Sequence, residues 1–199
     1  MSNYFLMGMK NPQKVASAFA PDNIKLAYQL IQDLESISVL PFDLNLLKLS
    51  LKKDRLVNSD DLSDLNETWL DYQPNSLAWP LASEKLKIII EKSLTGNEGI
   101  DWIVAHVFGN GERREYYIPR FKKLLDVLDI DKTMFIPGTN RIIKPCFSLS
   151  KISKYSVFHK PSENNLWEIT LGLYVSDTLK KAIQKEKLTG IVFDKIFIT

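Results

Sequence analysis

Ser83-Glu84-Lys85-Leu86-Lys87, running on through Ile90 and Lys92 to Leu94-Thr95-Gly96, is echoed late in the chain by Ser176-Asp177-Thr178-Leu179-Lys180, which runs on through Ile183 and Lys185 to Leu188-Thr189-Gly190. Each stretch predicts a short helix. A serine oxygen can accept from the free N–H groups of a first turn, and the acid beside it suits the positive end of the helix dipole. Glycine ends each unit where a left-handed residue is needed. Leu86, Ile89 and Ile90 in one copy, and Leu179, Ala182 and Ile183 in the other, supply the stripe to be buried. Both helices lead into apolar runs, residues 102–108 and 191–198, which read as core strands.

Outward from this echo the pattern is mostly that of strands. Asn110-Gly111 stands between the run ending at Phe108 and residues 114–119, and this dipeptide tolerates the positive φ angles of a type I′ turn, so a hairpin is predicted. Alternation over residues 142–157 and the run 167–175 predict further strands. Toward the N-terminus, Tyr4–Met9 reads as a strand followed by a polar, Pro-containing connection. Pro21 and Asp22 then open a helix, with Asp22 as cap and Ile24, Ala27, Tyr28, Ile31 and Leu34 on one face. Over residues 39–51, Phe42, Leu44 and Leu46 alternate in one parity and Leu47, Leu49 and Leu51 in the other. Keeping every leucine inward predicts a bulge or bend at Leu46-Leu47. The fold class is α+β, mainly antiparallel sheet with a few short packed helices.

Residues 54–76 break this pattern. They are polar and acidic, holding Asp54, Asp60, Asp61, Asp64, Glu67 and Asp71, with Trp69 and Tyr72 near the end and Pro74 closing the stretch. The segment marks a boundary between an N-terminal α/β portion, residues 1–76, and an α+β portion, residues 77–199. It is long for a plain connection, which predicts a helical turn around residues 62–70 or a binding loop. Residues 1–76 carry 7 Lys+Arg against 10 Asp+Glu, whereas residues 77–199 carry 19 against 14, so the net +2 of the chain hides opposite signs. An acidic patch can attract a cationic partner; a solvated loop gives the same count.

With 199 residues, 45% of them hydrophobic and 25% charged, the chain has the composition of a globular protein, which excludes disordered and fibrous classes. One cysteine makes no intrachain disulfide, and with two histidines it cannot complete a four-ligand structural zinc site. No apolar run approaches the roughly 18 residues of a membrane helix, and Tyr4–Met9 is too short for a signal core, so a cytoplasmic protein is expected.

Catalytic motifs fare poorly. Gly109-Asn110-Gly111 has Arg114 where a dinucleotide loop needs its third glycine, and no phosphate loop of the GxxxxGK[ST] type exists. Ser148-Leu149-Ser150-Lys151 matches SxxK, but that motif needs a helix and this stretch alternates like a strand. Cys146 and His159 lack a third orienting group, and His106 lies inside an apolar strand as a core or edge histidine. Nucleic-acid binding is the second reading. Arg113, Arg114, Arg120, Lys122 and Lys123, then Lys144, Lys151, Lys154 and Lys160, lie near Tyr116, Tyr117, Phe121, Phe147 and Tyr155, as a stacking platform requires, though acids interrupt the patch.

The order of Leu81-Ala82-Ser83-Glu84-Lys85-Leu86-Lys87, an apolar strand, Tyr116-Tyr117-Ile118, Leu125-Asp126-Val127-Leu128-Asp129, then Leu173-Tyr174-Val175-Ser176-Asp177-Thr178-Leu179-Lys180 and Leu188-Thr189-Gly190-Ile191-Val192-Phe193 resembles the bacterial polymorphic-toxin immunity proteins, a large domain family formerly of unknown function. The resemblance covers residues 77–199. It implies an immunity protein that binds and neutralises a cognate toxin, with no catalysis, cofactor or metal; its motifs have packing roles and carry no catalytic residue. An unrecognised hydrolase is the enzyme alternative. The predicted contact surface is the acidic stretch, with Asp60, Asp61, Asp64, Glu67 and Asp71 at the rim and Trp69 and Tyr72 as anchors, because toxin nucleases present cationic clefts that an acidic surface would find quickly. Trp69 has a second reading as a fastener of this segment onto the rest of the chain.

Overall fold

A computed structural model describes residues 3–9, 15–52, 55–162 and 167–199; Asp54 and the polar connection after β1 lie largely or wholly outside them. The strands are β1 (Tyr4–Met9), β2 (Ser17–Phe19), β3 (Leu44–Lys52), β4 (Arg55–Ser59), β5 (Ile100–Gly109), β6 (Glu112–Phe121), β7 (Met134–Phe135), β8 (Ile142–Lys144), β9 (Val157–Phe158), β10 (Leu173–Ser176) and β11 (Ile191–Lys195). The helices are α1 (Ala27–Asp33), α2 (Glu84–Ser93), α3 (Leu149–Ile152) and α4 (Asp177–Lys185). One sheet runs β11-β1-β10-β9, a second runs β2-β3-β5-β6 with β4 on the far end of β3, and β7 and β8 form a small hairpin. Only the β3–β5 pairing among these is parallel, so the fold is α+β with mostly antiparallel sheet. Strands of the first 76 residues enter both large sheets, β1 between β10 and β11 and β3 beside β5.

The two echoed helices form as their caps dictate. Ser83 Oγ accepts from the Leu86 N–H and Ser176 Oγ from the Leu179 N–H, both at 3.3 Å. Leu86 and Ile90 of α2, and Leu179 and Ile183 of α4, are buried. Helix α4 packs on β1 and β10, while α2 packs on β6 and on α4. Gly96 and Gly190 both have positive φ, but Lys187 (φ 53°) takes the first left-handed position after α4. The Asn110-Gly111 hairpin has φ of 51° and 76°, and β5 and β6 pair in unbroken register from Gly109↔Glu112 to Ile100↔Phe121.

Four local expectations are corrected. The N-terminal helix starts at Ala27, because Gln29 turns its side chain back to accept from the Leu26 N–H (3.1 Å), leaving Pro21 and Asp22 in a separate turn. Strand β3 has no bulge at Leu46-Leu47, and its pairing with β2 and β4 is continuous. Leu44 and Leu46 face the core, whereas Leu47 and Leu49 lie half-buried on the opposite face. Within residues 142–157, α3 interrupts the strands, and within 167–175 pairing starts only at Leu173. The run beginning at Ile191 is an edge strand with Val192, Asp194 and Lys195 exposed, not a core strand. Residues 62–70 hold a single turn closed by Leu65 N–H on the Leu62 carbonyl (3.1 Å), within the turn-or-loop expectation for this segment.

The described residues form two buried clusters. One gathers Tyr4, Met7, Tyr72, Ala82, Leu86, Phe121, Phe147, Phe158, Val175 and Leu179 under α2 and α4. The other gathers Ala18, Leu34, Leu44, Leu77, Trp79, Leu81, Ile103, Val107 and Tyr116 between α1 and the second sheet. Residues 72–82 contribute to both, with Tyr72 and Ala82 in the first and Leu77, Trp79 and Leu81 in the second. Each large apolar side chain so buried is worth about 1.5–3 kcal/mol. Arg120 of β6, only 6% exposed, adds a polar tie. It grips Asp101 with two bonds (2.9 and 2.7 Å) and donates to the carbonyls of Leu34, Glu35 (3.1 Å) and Ile37 (3.0 Å) just past α1. These bonds hold the Asp101 carboxyl below the usual carboxylate range.

Candidate interaction surface

The acidic segment leaves β4, crosses the edge of the β5–β6 hairpin and dives between the cores, which splits its side chains into an outer and an inner set. Asp60, Asp61, Asp64 and Glu67 are exposed. Asp61 accepts from the N–H (3.1 Å) and hydroxyl (2.6 Å) of Ser63, so it shapes its own loop, and Asp64 pairs with Lys48 of β3. Leu62 is the buried peg that holds this loop down, at 5% exposure.

Trp69 is half-buried. Its ring stacks on Tyr116 (centroids 6.3 Å apart, 22° between planes), and the Arg114 guanidinium lies 4.5 Å from its ring centre. Arg114 is held in turn by Glu112 (2.9 and 2.7 Å). The fastening reading of Trp69 thus describes its contacts: aromatic stacking and a cation over the ring lock the segment to β6.

Asp71 and Tyr72 belong to the inner set. The Asp71 carboxylate accepts from Ser83 Oγ (2.7 Å), the Thr189 N–H (2.9 Å) and Thr189 Oγ1 (3.1 Å), tying the segment to the cap of α2 and to the turn after α4. Tyr72 is 1% exposed, and burial pushes its phenol well above the ordinary value. In this structure Asp71 is a partly buried clamp and Tyr72 a core side chain, so Tyr72 is not presented as an anchor. Sequence reasoning missed Gln73, fully buried, which accepts from the Leu70 N–H (2.9 Å) and donates to the Ala16 carbonyl (2.6 Å). No local signal marks it, since it stands in a segment whose polar composition reads as exposed.

The opposite side of the hairpin carries a second polar group. His106 lies 3.7 Å from both Asp43 and Glu115, and Asp43 also pairs with Arg113 at 3.0 Å. Phe108, half exposed, stands beside them on β5. His106 is therefore a half-buried histidine among carboxylates, on an interior strand of the second sheet.

The rejected catalytic motifs are placed as follows. Ser148 does stand at the N-terminus of a helix, contrary to the strand expected there, but Lys151 Nζ is drawn to Asp126 (2.9 Å) and the Leu128 carbonyl (3.0 Å), while Ser148 Oγ meets Ser150 Oγ. Cys146 is buried and its sulfur lies 3.8 Å from Thr199 Oγ1. His159 is fully buried against Phe121 and Trp167, and burial lowers its pKa from the ordinary 6.5. No group of three metal-ligating side chains occurs among the described residues. Of the proposed stacking platform, Tyr116, Phe121, Phe147 and Tyr155 are buried, and Arg113, Arg114, Arg120, Lys122 and Lys151 are paired with carboxylates. Nothing here favours nucleic acid. Among the described residues no helix is long and apolar enough to cross a membrane.

What fold and surface define is a clamped α+β scaffold that displays charged loops. No curated protein matches the chain. The Imm11 immunity protein family matches residues 52–197, and the chain belongs to this family.

Proposed function

We propose that the protein neutralises a cognate bacterial toxin by binding it, without chemistry of its own, in the cytoplasm of the cell that carries the toxin. The observation that carries this reading is membership of the immunity family over residues 52–197. On this reading the two large sheets, built by strands of both portions, supply the scaffold and the acidic end of the 1–76 portion supplies the contact. Asp60, Asp61, Asp64 and Glu67 form its exposed part, with Trp69 and Arg114 at the border; Asp71 and Tyr72 hold it in place from within. Exposed carboxylates favour a cationic toxin surface, and their field acts chiefly on the rate of association. The test is a triple charge reversal, Asp60→Lys, Asp64→Lys and Glu67→Lys, in capture of the product of the neighbouring gene. Capture should slow by at least about tenfold at low salt and lose most of its salt dependence, while the thermal transition moves little. Unchanged capture kinetics would remove the acidic surface from the interface and turn attention to the Arg113, His106 and Phe108 side of the hairpin.

A further inference from the structure

Strand β11 is an edge whose outward backbone groups form a short self-complementary set. Its register with β1 runs from Phe5↔Lys195 to Met9↔Ile191, and just beyond it the Ile196 N–H donates to the Tyr4 carbonyl (3.2 Å). Hydrogen-bonded and non-hydrogen-bonded pairs alternate along an antiparallel ladder, so Asp194 and Val192 bond to β1. Ile191, Phe193 and Lys195 therefore point their N–H and C=O groups away from it. The bonding of β1 on its other side agrees in parity, since Asp177 N–H donates to the Asn3 carbonyl in register with Tyr4↔Ser176. No described residue bonds the outward groups of Ile191, Phe193 or Lys195. Upstream the edge is closed: Tyr72 N–H donates to the Thr189 carbonyl (3.1 Å). Downstream it is closed at Thr199, whose N–H donates to the Phe147 carbonyl (3.0 Å) and whose carbonyl accepts from the Leu149 N–H (2.8 Å), so the open stretch runs from Ile191 through Phe193 and Lys195 toward Phe197.

We propose that β11 pairs with β11 of a second copy of this chain, antiparallel about a two-fold axis through Phe193. In that register Phe193 faces its own symmetry mate, and Ile191 faces Lys195 of the other copy. Every outward donor and acceptor of the three residues then finds a partner. On the other sheet face Val192 sits opposite Asp194, so each exposed charge meets an aliphatic side chain and no like charges are opposed. The register centred on Asp194 would also pair these groups but would set two carboxylates face to face, and the one centred on Val192 would put Lys195 opposite Thr189, whose carbonyl already accepts from Tyr72. An isologous contact of this kind joins the two four-stranded sheets into one and leaves no further edge at that site.

The proposal is independent of toxin binding and is tested on the purified full chain alone. Sedimentation from micromolar to millimolar concentration should show a reversible monomer–dimer equilibrium. Amide exchange at Ile191, Phe193 and Lys195 should slow as concentration rises, while Val192 and Asp194, already bonded to β1, stay unchanged. Lys195→Pro removes one outward donor and keeps the β1 ladder, as proline at edge strands does. It should leave the monomer fold and melting point intact and weaken the dimer at least about tenfold, since it deletes two equivalent bonds of the symmetric pair. A chain that stays monomeric throughout, or a dimer undisturbed by Lys195→Pro with fast exchange at the three amides, overturns the proposal. So does protection of those amides that arises only when the neighbouring gene's product is added.

Discussion

At the scale of single residues, the carboxylate of Asp71 and the imidazole of His159 show how little the identity of a polar side chain says about its role before its surroundings are known. Asp71 sits in the same acidic run as Asp60 and Asp64, yet it accepts three bonds from Ser83 and Thr189, whereas Asp60 and Asp64 are exposed. Asp71→Ala leaves those donors without their acceptor and should cost about 2–3 kcal/mol, read by denaturant unfolding, with no change in the rate of toxin capture. Were capture lost while stability held, Asp71 would be a contact residue after all. His159 is buried neutral and its folded pKa lies below that of the unfolded chain, about 6.5. The unfolded state therefore binds the proton more readily. This contribution to stability is complete above about pH 6.5 and is lost as pH falls toward and through the folded value. The melting temperature of the natural chain should decline as pH is lowered from 7 to about 5, and His159→Phe should flatten that part of the curve. An identical slope in both proteins would place the acid sensitivity elsewhere.

Among elements, the segment 70–82 and the turn at Gly190 decide how the two sheets are joined. Gly190 has φ of +79°, and a Cβ there would lie 2.4 Å from the Tyr72 carbonyl oxygen and 2.9 Å from Leu70 Cβ. Gly190→Ala meets both the wrong half of conformational space and backbone it cannot displace, so it should destabilise by about 1–3 kcal/mol or more, measured by thermal unfolding. Gly96, with φ of +87° and nothing within 4 Å of the same position, should respond through backbone strain alone and lose less. The echoed helices, the Asn-Gly hairpin and the α+β class were legible in the sequence because caps, period and turn chemistry are local properties of Ser83, Ser176 and Asn110-Gly111. The start of α1 was not, because the Leu26 N–H is satisfied by Gln29 from inside the helix, and Asp22 merely looked like a cap. Nor was the inner role of Tyr72, since the segment's polar composition hides four buried side chains, Leu62, Leu70, Tyr72 and Gln73. The parity change in β3 was read correctly and interpreted wrongly. A strand can bury Leu44 and Leu46 and leave Leu47 and Leu49 half covered on its other face without any bulge.

Over the whole molecule, an acidic first portion is fixed to a basic second one by Asp71, Arg120 and the Trp69–Arg114 stack, so its exposed carboxylates stand on a rigid base. Rigid, pre-formed surfaces bind with little ordering cost, which suits the proposed occupation of a toxin's surface. Membership of the immunity family supports the proposed inhibition by occupancy. The decisive measurement is a titration of the neighbouring gene's product with the purified chain, following toxin activity and, by mass spectrometry, the toxin itself. Binding alone predicts that activity falls in proportion to added protein, ends at a fixed stoichiometric ratio and returns when the two are separated, with the toxin's mass unchanged. Loss of activity at amounts far below that ratio, or a toxin altered in mass, would contradict the account and make this chain an enzyme.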